Sequence, residues 1–531
     1  MVASSRPSPP DLAIGAFNDH APWIIEPDRL RWNDGLDELR ARTRGEVPAL
    51  LRRSRVPPLG RFVITGARLT SALGRWWATD RRTGGDVSGA GLSRRLRRAF
   101  ERLGPTYIKL GQIISSGQGV FPDYLVEEFK LCRDKVPPEN FAAVRQVIED
   151  DLGQPLGAVF SHFETEPVAA ASIAQVHKAV LRSGEDVVVK VQRPQVQGLV
   201  RRDIRAMSWV APFLVGRIPV TALANPPALV EVFAETITEE LDFRLEAQNM
   251  LQIAQVLAET GQRILVVPRP HPELVTRRVL VMERLDGFVF DDVAGVQAAG
   301  VDTAQMLKAG IVAFLEGALF YGVFHGDLHG GNLFIRPDGR IALLDYGMTG
   351  RLEERNRLGF VRLLVSAGIN DVRGQLAALR DLGALPLDTD LDAVIADLGL
   401  DKPLQDPTAM SAEDLVAELQ RLIKALLGYG AKLPKPLMLF VKNMLFIDGA
   451  IALYAPEIDL LSEIIDISAY FTETHGERLA QEAGIDPEAL QVDLDGIKES
   501  LGLGDMTTLS YRDLQARREL IRSRFRGSRH R

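Results

Sequence analysis

The chain has 531 residues, 46% hydrophobic and 25% charged, which is globular in composition and long enough for two or more cores. Its formal net charge of −7 hides arginine-rich ends at 40–102 and 517–531, and its single cysteine, Cys132, excludes an intramolecular disulfide framework and a cysteine-based zinc cluster and favours a reducing compartment. The N-terminus lacks the continuous apolar core of a secretory signal, and the apolar stretch 436–456 is interrupted by Lys442, Asn443 and Asp448. No transmembrane helix is therefore predicted, and 436–456 reads as a core helix.

In chain order, a disordered start gives way to helical patterning over 61–135, where Cys132 reads as a buried small hydrophobe. Gly104-Pro105 breaks this block just before a helix that carries Lys109 and Gln112, and Pro137-Pro138 closes it. Strand signals follow from 156 to 290. The run Ala169-Ala170-Ala171-Ser172 precedes a β-branched strand, 185–192, with Lys190 embedded in it. A lysine in so apolar a strand reads either as protection of a sheet edge or as a phosphate contact held by a glutamate from a neighbouring helix. That helix is predicted over 239–249, and Glu246 is the chosen partner. Residues 278–287 form a further β-rich segment, 304–324 a long apolar helix, and 352–475 a helical region loosened by turns at 383–409. No internal repeat or long low-complexity tract is present.

The chemistry is densest in His325-Gly-Asp-Leu-His-Gly-Gly-Asn332 and in Asp345-Tyr-Gly347. Asp327 and Asn332 are five apart, the spacing of a kinase catalytic loop, where the aspartate orients or deprotonates the acceptor and the asparagine holds a metal ion. Asp345 supplies the main metal carboxylate. Short apolar runs around Pro337-Asp338-Gly339 predict a hairpin between loop and carboxylate. His325 and His329 could face one side of a helix as metal ligands, but glycines at 326, 330 and 331 oppose a helix at about 1 kcal/mol each.

Together with these segments, Lys109-Leu-Gly-Gln112, the alanine run and Glu240-Leu-Asp242 make the chain resemble the UbiB/AarF family of atypical kinase-like proteins over roughly residues 90–470. The family is associated with coenzyme Q and other prenyl-lipid metabolism. Two departures from its pattern are Gly330, where proline is usual, and Tyr346, where phenylalanine is usual. The resemblance implies an α+β, two-lobed protein-kinase-like fold with an added N-terminal helical extension. Its expected divisions are a weakly structured basic extension at 1–90, the helical KxGQ segment at 91–155, a small lobe at 156–290, a helical large lobe at 291–475 and a basic helical tail at 476–531.

It further implies an ATP- and Mg²⁺-dependent kinase or ATPase. Asp327 and Lys190 would be catalytic, Asn332 and Asp345 would bind metal, and Ala169, Ala170, Ala171, Ser172, Lys190 and Glu246 would surround the nucleotide. Three alanine methyl groups in place of the usual glycines would stiffen the nucleotide loop and hold its amides farther from the phosphates. The adenine edge would meet the backbone of Glu283 and Leu285, with Met282 guarding the pocket behind. Lys109, Gln112, Glu240 and Asp242 would be regulatory, Lys109 meeting Glu240 or Asp242 to fix a segment folded over the active site. Expected partners are ATP, a prenylated phenol or lipid, and, through the arginine-rich ends, an anionic membrane surface; no nucleic-acid motif accompanies the arginines. The expected location is cytoplasmic or peripheral to a membrane. A small-molecule phosphotransferase shares the His-Gly-Asp loop but leaves the KxGQ and alanine segments unexplained. A nucleotide-dependent scaffold without turnover is the alternative from outside the enzyme class.

Overall fold

A computed structural model describes residues 22–26, 29–52, 60–83, 85–115, 122–131, 137–214, 226–400, 425, 428–431, 434–483, 493–495, 498 and 507–528; Cys132 and the expected disordered start, 1–21, lie outside them. The chain divides into two compact units. The first comprises 1–287 with the insertions 332–334 and 342–349, and the second comprises 288–331, 335–341 and 350–531.

The first unit begins with helices α1 (Leu36–Leu51), α2 (Arg61–Thr79), α3 (Gly85–Leu103), α4 (Pro105–Ser115) and α5 (Asp123–Lys130). The expectation of a weakly structured 1–90 therefore fails over most of its length. α1 buries Leu36, Val47 and Leu50, and α2 turns Thr65 and Ala72 inward. In α1 the apolar stripe is narrow and diluted by Arg40, Arg42, Arg44 and Gly45, which hides the periodicity on which a helix assignment depends. The expected helicity of 61–135 is realised in α2 to α5.

Next come α6 (Phe141–Leu152), α7 (Leu156–Val159) and strands β1 (Phe160–Phe163), β2 (Ala169–Ala170), β3 (Ala174–Leu181) and β4 (Asp186–Gln192). Helices α8 (Val196–Leu214), α9 (Pro226–Glu239) and α10 (Phe243–Glu259) follow, then β5 (Leu265–Val266), β6 (Pro270–Val275) and β7 (Val279–Glu283). The antiparallel sheet runs β1-β3-β4-β7-β6, with β2 paired to β3. Because successive strand side chains alternate faces, Val187, Val189 and Val191 of β4 join Val279 and Val281 in a core beneath Val144, Val147 and Ile148 of α6. Each such burial contributes about 1.5–3 kcal/mol. The same alternation sends Lys190 to the opposite face. β4 is central, with Lys190 registered against Val176 on one side and Leu280 on the other, so the sheet-edge reading of this lysine is wrong.

The second unit contains β8 (Phe288–Val289), α11 (Val293–Ala298) and α12 (Thr303–Glu316). The single long helix expected over 304–324 instead passes into a π-helical turn, Gly317–Tyr321, and ends at Gly322 (φ +67°) before β9 (Val323–His325). Leaving the helix there delivers the following loop from a strand. β10 (Leu333–Ile335) and β11 (Ile341–Leu343) form the predicted hairpin, closed by Arg336 N–H to Arg340 O at 2.8 Å and turned at Gly339 (φ +83°).

Helices α13 (Glu354–Gly368), α14 (Val372–Asp381) and α15 (Leu391–Leu398) come next, followed by Lys435–Tyr454, Leu460–Ala483 and Tyr511–Ser528. α15 lies in the stretch expected to be loose, nucleated by Asp390, whose carboxylate accepts from the N–H groups of Asp392 and Ala393. Thr303–Tyr321 and Leu437–Tyr454 are long and apolar enough to cross a membrane by length and composition. They pack together through Phe314 and Phe440, whose ring centroids are 5.5 Å apart, but Leu437–Tyr454 is only 33% buried and exposes Val441, Leu445 and Leu453, so the core-helix reading of 436–456 holds for one of its faces.

Candidate functional site

Lys190 leaves β4 to meet α10. Its ammonium lies 2.6 Å from Glu246 Oε1 and 3.1 Å from Asp345 Oδ1, and it sits 5.5 Å from the centroid of the Phe243 ring. Lys190 and Glu246 are buried, their side chains 10% and 4% exposed. Burial alone would lower the Lys190 pKa, but the carboxylates of Asp345 and Glu246 raise it well above the ordinary value, so the lysine stays charged. Glu246 is pushed up to about 7 by burial, against the pull of Lys190. Asp345 is desolvated too, yet Lys190 and then Lys109 hold its carboxyl well below the usual range.

Asp345 has φ +56°, a left-handed conformation that non-glycine residues rarely adopt. Among the contacts that hold it are Lys190 at Oδ1, its own Oδ1 accepting from Gly347 N–H at 3.2 Å, and Asn249 Nδ2 donating to Tyr346 O at 2.8 Å. Asn249 and Glu246 are three apart on α10, so one helix face fixes both the lysine and the tripeptide. Arg40 of α1 in turn reaches Gln248 Oε1 at 2.7 Å and Asn249 Oδ1 at 3.0 Å. The N-terminal extension thus buttresses the site, a role the sequence reading missed. Its signal was local, an arginine inside an apolar stripe. Leu344 N–H donates to Asn332 O at 2.8 Å, bringing Asn332 beside the residue preceding Asp345. Tyr346 is buried, and desolvation lifts its phenol pKa well above the usual value, so it acts as a neutral core residue like the phenylalanine usual there.

Lys109 of α4 meets Glu240, Nζ to Oε1, at 3.0 Å, with side chains 11% and 4% exposed. Of the two expected partners, Asp242 is engaged elsewhere: it caps α10 through Arg244 N–H and pairs with the Arg244 guanidinium at 2.7 Å. Gln112 lies half-buried one turn beyond Lys109.

The alanine run is not a helix, although alanine is the best helix former. Ala169 and Ala170 pair with Val176 and Gln175, and Ala171 N–H closes the turn onto Ala174 O at 2.9 Å. Buried Arg193 locks that turn by donating to Ala171 O and Pro137 O at 3.0 Å each and to Glu139 at 2.9 Å. Tertiary contacts override propensity here, and the Ala171 amide is engaged within the turn. Ser172 is buried beside it. At the end of β7, Glu283 N–H donates to Arg269 O at 2.8 Å, so an adenine contact at Glu283 would have to use its carbonyl. Met282, opposite Val188, shares the sheet face of Lys190, and Leu285 packs with Val266 and Ala342.

In the second unit, Asp327 receives the ammonium of Lys442 at Oδ1 and lies 3.9 Å from His329 Nε2. The next residue, Asn443, is fully buried; its amide donates to His325 O and accepts from Leu328 N–H at 3.2 Å. The pair Lys442-Asn443 thereby ties the 325–332 loop to the helix Lys435–Tyr454. Sequence reasoning registered both residues only as interruptions of an apolar stretch, yet polar groups at the centre of an apolar helix were the signal. His325 and His329 do not form a metal pair. Each uses Nδ1 to accept a loop N–H, from Asp327 and Gly331 respectively, and no cluster of three or more His, Cys, Asp or Glu suited to a metal occurs among the described residues. A Cβ on Gly330 would lie 3.1 Å from the Phe290 ring, a tight contact to which the ring would have to yield by a few tenths of an ångström.

Residues 131–378 match the ABC1 atypical kinase-like domain. The chain is 36% identical over 382 residues to an uncharacterized protein of Mycobacterium tuberculosis, covering 71% of this chain and 77% of that one. It is 33% identical to an uncharacterized aarF domain-containing protein kinase of the chloroplast in Arabidopsis thaliana, covering 69% and 73%, and 30% identical to a probable protein kinase UbiB of Vibrio cholerae, covering 70% and 68%. Fold and site define an α+β kinase-like protein of two lobes. The chain belongs to the ABC1 (UbiB/AarF-like) atypical kinase family.

Proposed function

We propose that the protein is an ATP-dependent phosphotransferase or ATPase acting in prenyl-quinone or lipid metabolism. The observation that carries the nucleotide reading is the set Lys190, Glu246 and Asp345: a buried lysine kept charged in a central strand, held by a buried helix glutamate, beside a half-exposed ionised carboxylate in a strained backbone conformation. Lys190 would donate to the α- and β-phosphates, with Glu246 and the Phe243 ring fixing its position.

Asp345 and Asn332 carry hard oxygen donors of the kind that fit Mg²⁺, which takes one or two protein ligands and completes its shell with phosphates and water, and the backbone hydrogen bond from Leu344 N–H to Asn332 O keeps their main chains close. When bound, Mg²⁺ would neutralise charge on the phosphate oxygens. Asp327 would orient or accept the proton of the attacking hydroxyl or water, while Lys442 holds its carboxylate and adds positive charge beside it. Ala169, Ala170, Ala171 and Ser172 would cover the phosphates, and Glu283 and Leu285 would meet the adenine through their backbones. The Lys109–Glu240 pair would regulate the site by fixing α4. The lipid assignment follows from the family resemblance, and a prenylated phenol is the acceptor class it suggests.

The test is phosphate release and transfer by the purified chain with Mg-ATP, with and without anionic liposomes and a prenylated phenol. Magnesium-dependent turnover is expected. Nucleotide binding with no turnover under any of these conditions would favour the scaffold reading instead.

A further inference from the structure

Helices α2, α3, α4, α5, α8 and α9 of the first unit surround a cavity of about 140 Å³. Leu69, Leu96, Phe100, Leu110, Met207 and Leu229 are among its walls, and none of Lys190, Glu246 or Asp345 lines it. Its hydroxyl groups are largely engaged already: Thr65 Oγ1 and Tyr107 OH share a hydrogen bond of 2.8 Å, and Ser93 Oγ donates to Gly89 O at 3.0 Å. A ligand there gains contact and loses water but finds little to hydrogen-bond.

We propose that this cavity holds the hydrocarbon chain of a lipid. Its size is close to that of the roughly 150 Å³ apolar cavity that stays dry and binds benzene, so it accommodates a segment of about five or six carbons. The source is indicated by α2, which contributes one wall. Its outer face exposes Val63 (57%), Ile64 (45%) and Trp77 (62%) beside exposed Arg68 and Arg75. Apolar side chains near both ends of the outer face, with cations beside them, suit a helix lying on an anionic membrane. α4 contributes Tyr107, Leu110 and Ile114 to the wall and carries Lys109, so occupancy bears on the helix that reaches Glu240.

The experiment is calorimetric titration of the full chain with n-alcohols of increasing length. Affinity is expected to rise about fourfold per methylene, the equivalent of about 0.8 kcal/mol, to about six carbons and then to level off, while 1,6-hexanediol binds at least about tenfold more weakly than hexanol because its second hydroxyl finds no partner. Ala211→Phe fills the cavity and abolishes hexanol binding; Leu96→Ala enlarges it and moves the plateau to longer chains. Circular dichroism checks that each variant is folded, and should Ala211→Phe fail that check, Leu96→Ala alone carries the comparison. Lysophosphatidylglycerol below its micelle concentration displaces hexanol, and glycerophosphoglycerol does not. A series independent of chain length in the wild type, or a plateau unmoved in the folded variants, overturns the cavity assignment. A lysolipid that fails to displace hexanol overturns the lipid assignment. ATP turnover is not a readout, so these outcomes are independent of the phosphoryl-transfer reading.

Discussion

Lys109→Met tests whether the KxGQ helix is pinned by a buried charge pair. Lys109 Nζ lies 3.0 Å from Glu240 Oε1 and both side chains are nearly inaccessible, so the substitution strands a carboxylate away from water. Removing one partner of a buried pair costs about 3 to 5 kcal/mol, against under about 1 for an exposed pair. At roughly 2 to 4 °C per kcal/mol for a unit of this size, the first unit should melt roughly 6 to 20 °C lower. Because Lys109 also helps hold the Asp345 carboxyl below its usual pKa, nucleotide affinity and ATP turnover should change as well. Adding Glu240→Gln removes the stranded charge, so the double variant should recover most of the lost stability, a coupling that an unrelated packing defect would not show. Scanning calorimetry of wild type, both singles and the double reads this directly, and limited proteolysis of 91–140 reports loosening of α4. A single variant within about 1 kcal/mol of wild type, or losses that simply add in the double, would refute the reasoning.

Three further predictions follow from the site. Because burial raises the Glu246 carboxyl to about 7 from its model-compound value of 4.5, the folded state retains a proton that the unfolded chain releases, so this group lowers stability as pH rises from 4.5 to 7. Glu246→Gln should remove that contribution, raising melting temperature at pH 7.5 relative to pH 5 when compared with the same difference in wild type; an unchanged difference contradicts the assignment. Arg40→Met should lower stability by about 1 to 3 kcal/mol, by leaving the buried Gln248 and Asn249 acceptors without their donor, and should weaken nucleotide binding through Tyr346; unfolding curves and nucleotide titrations check both effects. Lys442→Met should cut kcat by about 10² or more while leaving the nucleotide Kd near wild type, since its ammonium touches Asp327, the carboxylate proposed to orient the nucleophile; equal kcat would exclude that role.

The candidate site residues were legible because they interrupt their own context. Lys190 stands in a run of valines, and Asp327, Asn332 and Asp345 flank a hairpin whose turn is written in Pro337-Asp338-Gly339. What could not be read was support arriving from far along the chain. Arg40 is 209 positions from Asn249, and Asn443 is 118 from His325. No local period encodes such pairings. The start of the extension at 1–90 was misjudged for a related reason: α1 has little pattern of its own and is stabilised by packing on α8 and α9. The alanine run shows the converse, a strong local preference for helix overruled by one buried arginine and the edge of β3.

The most direct test of nucleotide chemistry at this site is a comparison of Asp345→Asn with Asp327→Asn, measuring Mg-ATP-dependent thermal stabilisation and phosphate release on the same preparations. Asp345→Asn is expected to lose both the stabilisation and the turnover, because the proposed metal carboxylate is gone, while Asp327→Asn keeps the stabilisation and loses turnover by about 10² to 10⁴. Magnesium-dependent stabilisation unchanged in Asp345→Asn, or turnover unchanged in Asp327→Asn, would contradict the assignment.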